Sequence, residues 1–97
     1  MEEKWIRIER YPKYEVSNQA EVRNARTKRN IAPLYFRKED DHKVQLCGRN
    51  GKYKYVSLKR LVAEAFHDGQ HDDCEVECID GDLNNMWADN LRWVKRV

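Results

Sequence analysis

The sequence predicts one α+β domain, in which a small antiparallel β-meander is followed by a strand–turn–helix unit. Three observations predict it. Apolar and polar residues alternate near the N-terminus, in Tyr14-Glu15-Val16-Ser17 and again in Glu21-Val22-Arg23-Asn24, the period-two pattern of half-buried strands. The pair Asn50-Gly51 lies between two further alternating runs and is the strongest two-residue hairpin signal. One helical stripe follows it. The chain of 97 residues is enough for one domain and not two.

The elements follow in order. Trp5, Ile6 and Ile8 supply a first strand, which Tyr11-Pro12 breaks. Tyr14 and Val16 carry the second strand, Ser17-Asn18-Gln19-Ala20 a turn, and Glu21 to Asn24 the return strand. In "HKVQLCGRNGKYKYVSL", Val44 and Leu46 share one face, and Tyr53 and Tyr55 alternate with Lys52 and Lys54. In "SLKRLVAEAFHDG", Ser57 is placed to cap a helix and Gly69 to stop it. Leu58, Leu61, Val62, Ala65 and Phe66 recur at helical spacing as one apolar stripe, which reads as core. "CEVECIDGD" reads as a strand into an Asp80-Gly81 turn, "LNNMWADN" as a short helix, and "LRWVKRV" as a final strand. The meander spans residues 1–38 and the remaining unit residues 39–97, within one compact domain.

Composition narrows the function. Forty per cent of residues are hydrophobic, with three Trp and five Tyr, which is a folding composition rather than a disordered one. Charged residues make up 37%, yet the net charge is only +2. Residues 23–38 carry Arg23, Arg26, Lys28, Arg29, Arg37 and Lys38 with no acid among them; residues 68–82 carry seven acids and no Lys or Arg. A basic segment that meets phosphates and an acidic one that meets a cation would fit this asymmetry, as would two solvated faces. No signal peptide and no apolar run of transmembrane length are evident. A cytoplasmic protein with no membrane partner is therefore expected. Three Cys is an odd count, which argues against a disulfide framework.

Three stretches together resemble one family. "W-I-R-I-E-R-Y-P-K-Y-E-V-S-N-Q-A-E-V-R-N" at 5–24 resembles NUMOD4, the N-terminal module of phage and mobile-element homing endonucleases. "R-L-V-A-E-A-F" at 60–66 is similar to the helix that precedes the active site in those proteins. "V-E-C-I-D-G-D-L-N-N-M-W-A-D-N-L-R-W-V" at 76–94 resembles the HNH nuclease motif, the ββα-metal or His-Me finger. The resemblance implies an α+β fold with a β-meander ahead of a ββα-metal finger. It also implies a site that hydrolyses phosphodiesters with a general base and a divalent cation.

Residue by residue, the resemblance places Glu77 at the first metal-ligand position and Cys78 at the general base, where the family has His. It places Asn85 at the position that orients the base, and Asn90 at the second metal ligand. Asp80 and Gly81 match the turn after the strand, and Lys59 stands where these proteins usually have His. Imidazole accepts a proton near neutral pH, whereas a thiol of pKa about 8.5 is mostly protonated there. Loss of the base removes on the order of a hundred- to ten-thousand-fold in rate. His42, His67 and His71 are the candidates to replace it.

A zinc reading competes. His67, His71, Cys74 and Cys78 form H-x3-H-x2-C-x3-C, four ligand types that could close a structural Zn2+ site. The plainer alternative is two semi-buried thiols and surface His. For nucleic acid, Arg23, Arg26, Lys28, Arg29, Lys52, Lys54, Lys59 and Arg60 are the residues expected to track a phosphate backbone.

The function expected is therefore a phage or mobile-element HNH-endonuclease-like protein with a degenerate centre, acting by binding double-stranded DNA or a host protein. Two rivals stand beside it. One is an active nickase using Mg2+ or Mn2+; the other is a protein-binding inhibitor using the acidic 68–82 face.

Overall fold

The N-terminal alternation becomes three strands. In the computed structural model, which describes residues 2–67 and 73–95, β1 (Trp5–Arg7), β2 (Tyr14–Ser17) and β3 (Val22–Asn24) pair antiparallel in that order. The turn between β2 and β3 is built by Ser17. Its Oγ accepts from the backbone N–H of Gln19 at 3.1 Å and of Glu21 at 3.2 Å, the local bonding that favours Ser in turns.

A second antiparallel sheet contains β4 (Leu34–Phe36), β5 (Asp41–Cys47) and β6 (Tyr53–Ser57). Its β4–β5 turn spans residues 37–40, so a division after residue 38 falls inside a hairpin rather than between two units. Cross-strand partners share a face. Val44 pairs with Val56 and Leu46 with Lys54, while Gln45 pairs with Tyr55 and Cys47 with Tyr53. The first face is core, with Val44 and Leu46 essentially inaccessible; the other leaves Tyr53 and Tyr55 exposed. Gly51 supplies the left-handed residue of the β5–β6 turn at φ +78°.

Helix α1 (Leu58–Phe66) follows directly. Its stripe behaves as the periodicity requires: Leu58, Leu61 and Val62 are buried, and Ala65 and Phe66 pack partly against the same core. Ser57 holds the N-cap position in extended conformation, without a side-chain capping bond. Gly69 lies outside the described residues.

The third sheet is the pair β7 (Cys74–Cys78) and β8 (Leu91–Lys95), in register from Cys74 opposite Lys95 to Cys78 opposite Leu91. Between them the expected short helix over Leu83 to Asn90 is absent; turns lead into a single 3-10 turn at Ala88–Asn90. Asx turns shape the segment: Asp80 Oδ1 accepts from the Asp82 N–H at 2.8 Å, and Asp82 Oδ1 from the Asn84 N–H at 3.0 Å.

Two hydrogen bonds at one residue lock this loop to the rest of the chain. The Ala88 N–H donates to the Asn18 carbonyl at 2.8 Å. The His67 ring donates through Nε2 to the Ala88 carbonyl at 2.5 Å, because that oxygen can only accept. Asn18 is itself buried. Its Oδ1 accepts from the Lys4 N–H at 2.9 Å and its Nδ2 donates to the Glu2 carbonyl at 3.1 Å. The Tyr-x-Val-Ser-Asn segment thus fixes both the entry of β1 and the loop before β8.

The two faces of the second sheet should respond differently to truncation. Leu46→Ala is expected to cost about 2–5 kcal/mol, through lost burial and a cavity. Tyr53→Ala should stay within about 0.5 kcal/mol of the native chain. Urea denaturation of the two variants checks this.

Candidate functional site

Strand β7 presents its side chains alternately. Cys74, Val76 and Cys78 are buried, and Glu75 and Glu77 are exposed. Glu77 and Cys78, expected at the metal and base positions, therefore leave the strand on opposite faces. Both reach a shallow groove of about 410 Å³ at the strand end, lined also by Lys59, Gly81, Leu83 and Val94.

Cys78 sits in this groove at 5% exposure. Burial pushes its thiol up from the ordinary cysteine value; Lys59 opposes this, and the charges of Asp80, Asp82 and Asp41 reinforce it. The shift favours the thiol form of Cys78, a donor rather than a proton acceptor.

The loop beyond Cys78 is organised by two polar side chains. Asn90 is buried. Its Oδ1 accepts from the Asp80 N–H at 3.2 Å, and its Nδ2 donates to Asp80 Oδ1 at 2.9 Å and to the Asn85 carbonyl at 2.8 Å. The Asn85 side-chain amide donates to Asp80 Oδ2 at 3.2 Å, so it faces Asp80. The Asp80 carboxylate accepts from Asp82, Asn90 and Asn85, and these bonds hold its pKa below the ordinary carboxylate range. Gly81, at φ +79°, makes the turn this arrangement needs.

A divalent cation is poorly served here. Glu77 forms an ion pair with Arg92 at 2.9 Å across the β7–β8 pair. Both ends of the Asn90 amide have partners within the loop, and the Cys78 sulfur is buried. Among the described residues, no three His, Cys, Asp or Glu side chains gather closely enough to hold a metal ion. The donor set does not fit a divalent ion as it stands.

The zinc reading is corrected outright. Cys74 and Cys78 are the ends of one regular strand, so their Cα atoms lie roughly 13 Å apart at about 3.3 Å per residue. Two sulfurs on one Zn2+ sit within about 4 Å of each other. The His67 ring is engaged by Ala88, and His71 lies outside the described residues. Of the other His offered as replacement bases, His42 lies on β5 with its ring 5.1 Å from that of Tyr35.

The basic residues divide into two groups. Arg23 is bound inward: its Nε is 2.5 Å from Glu15 Oε1, and its guanidinium stacks 3.7 Å from the Trp5 ring centre. Lys28 shares the same Glu15 at 3.1 Å. Arg60 pairs with Glu64 at 3.4 Å and donates to the Cys74 carbonyl at 3.4 Å. Arg26, Arg29, Lys52 and Lys54 are exposed and make no ion pair among the described residues. Lys59 is half-buried in the Cys78 groove. Exposed Arg7 and Lys13 join the free group. Neither lies in a run of like charge, so no local signal in the sequence marks them; the β1–β2 and β2–β3 pairings together bring their segments beside Arg26.

The loop has an expected pH limit. Because the folded Asp80 carboxylate titrates below its unfolded value, its contribution is fully present above about pH 3.9 and is lost as the pH falls through the lowered pKa. Hydrogen exchange of the Asp82 and Asn90 amides, compared with core amides of β5, should show selective opening of the loop in that acid window. Asp80→Asn should remove the selectivity.

Comparison with known proteins matches this arrangement. The NUMOD4 motif matches residues 3–59. The DNA endonuclease I-HmuI of Bacillus phage SP01 is 34% identical over 84 residues, covering 84% of this chain and 45% of the endonuclease. A solved structure on DNA binding and cleavage by the HNH homing endonuclease I-HmuI superposes with a TM-score of 0.84 at 32% identity, over 95% of this chain and 52% of that one. The chain thus spans about half the length of the relatives it matches. With the NUMOD4 segment, the HNH-type strand pair and their relative placement all shared, the chain belongs to the NUMOD4-bearing, HNH homing-endonuclease-like family.

Proposed function

We propose that this chain binds double-stranded DNA through a homing-endonuclease scaffold whose catalytic centre is degenerate. The observation that carries this reading is the burial of the Cys78 thiol, which pushes its pKa up, at the position where the resemblance places the general base. Engagement of Glu77 Oε2 by Arg92 and of the Asn90 amide by Asp80 supports it, since both residues at the metal-ligand positions already have protein partners. DNA as the partner is supported by the relative, whose solved structure concerns DNA binding and cleavage, and by the unneutralised Arg and Lys on the surface.

The active-nickase rival needs Mg2+ or Mn2+ on Glu77 and Asn90, which requires breaking the Arg92 pair and the Asp80 lock first. The inhibitor rival rests on the 68–82 face, of which residues 68–72 lie outside the described part. No helix among the described residues is long and apolar enough to cross a membrane.

Supercoiled plasmid incubated with the protein and Mg2+ or Mn2+ tests the reading. No nicking is expected, with turnover at least about a hundredfold below that of a variant carrying a functional base in a competent centre. Nicking by the native chain that Asn90→Ala abolishes would establish the nickase instead. Nicking that appears only with Cys78→His would mean that the thiol alone silences the centre and that a cation can still displace Arg92.

A further inference from the structure

A hollow of about 640 Å³ lies between β1, the turn into β2 and the loop after β3. It shares no residue with the Cys78 groove. Arg7, Lys13 and Arg26 line it, together with Pro12, Asn24 and Thr27. No Asp or Glu lines it. All three cations are exposed, and none makes an ion pair among the described residues.

The neighbouring acid cannot neutralise them. Glu15 is the cross-strand partner of Arg7, but its carboxylate is held by Arg23 at 2.5 Å and Lys28 at 3.1 Å. Lys13 Nζ has Cys47 Sγ at 3.8 Å, a weak acceptor. The hollow therefore holds three like charges with no internal counter-ion.

Its wall is rigid. Asn24 Oδ1 accepts from the Arg26 and Thr27 N–H groups, each at 2.9 Å. The Ala25 N–H donates to the Lys13 carbonyl at 2.8 Å, and the Lys28 N–H to the Asn24 carbonyl at 2.9 Å. The loop carrying Arg26 is thus tied to the segment carrying Lys13. Lys28 takes a left-handed φ of +62° to close it.

We propose that this hollow seats the phosphodiester backbone of duplex DNA, at a place separate from the Cys78 groove; the proposal rests on the DNA-binding reading above. Three cations on three chain segments, in a space larger than one phosphate, suit successive phosphates rather than a single small anion. No aromatic ring lines the hollow, so it offers no platform for base stacking and reads no base. Its contribution is sequence-independent and electrostatic.

Fluorescence anisotropy of a short labelled DNA duplex, titrated with the full chain over a range of NaCl concentrations, tests this. The triple variant Arg7→Gln/Lys13→Gln/Arg26→Gln is expected to flatten the slope of log K against log salt by about 2–3, since each phosphate no longer neutralised removes about 0.9 from it. It should weaken binding at low salt by at least about tenfold, equally for unrelated duplex sequences. The charge-keeping variant Arg7→Lys/Arg26→Lys should retain the native slope. If the triple variant melts early, Arg7→Gln and Arg26→Gln alone should each lower the slope by about one. Unchanged slope and affinity in the variants, with the native chain binding DNA, overturns this proposal alone. A native chain that binds no duplex overturns the DNA reading and this proposal with it.

Discussion

The peptide of Ala88 is the constraint on which the site depends. Its N–H is held by the Asn18 carbonyl of the meander, and its carbonyl by the His67 ring at the end of α1. The loop between β7 and β8 buries Met86 and Ala88 in the core and leaves Leu83 and Trp87 exposed. Two polar anchors from distant parts of the chain add to that packing. Through them the N-terminal module and the HNH-type strand pair act as one body, which gives the Tyr-x-Val-Ser-Asn segment a structural role in a site it does not line.

Inside that frame, the polar residues of the loop bind one another. A metal centre needs lone pairs left over after folding. Here Asn90 uses both ends of its amide on Asp80 and Asn85, and Glu77 faces Arg92. The same residue types that resemble a catalytic motif in one dimension form a closed hydrogen-bond network in three. Cys78 completes the change, since burial and surrounding carboxylates both favour its neutral form. Lys59, the one cation lining the groove, is too little to reverse that.

Much of the fold is legible in the sequence because it follows from periodicity. Val16, Val22, Val44 and Leu46 alternate and are buried; Leu58, Leu61 and Val62 recur at helical spacing and are buried. The Leu83–Asn90 segment departs from its expected helix: Asx turns and a single 3-10 turn stand there, which the hydropathy pattern does not distinguish from a short helix. The zinc pattern fails on grounds the sequence already contains: once Cys74 and Cys78 are placed on one strand, their separation forbids a shared ion. Partnerships across the sheet are not legible. Nothing local tells that Arg23 stacks on Trp5 and pairs with Glu15, or that Arg7 and Lys13 make no ion pair among the described residues. Those facts depend on register, which the sequence constrains only after the strands are paired.

The ionisation of Cys78 is the most direct test of a degenerate centre. Its 13Cβ chemical shift, followed by NMR through a pH titration of the labelled protein, reports thiol against thiolate at that one residue. A transition above the ordinary cysteine value of about 8.5 is expected, with the thiol form present throughout the neutral range. A thiolate already formed near pH 7 would contradict a degenerate centre. It would mean that Lys59 or a bound cation dominates the groove and that a proton acceptor survives at the base position.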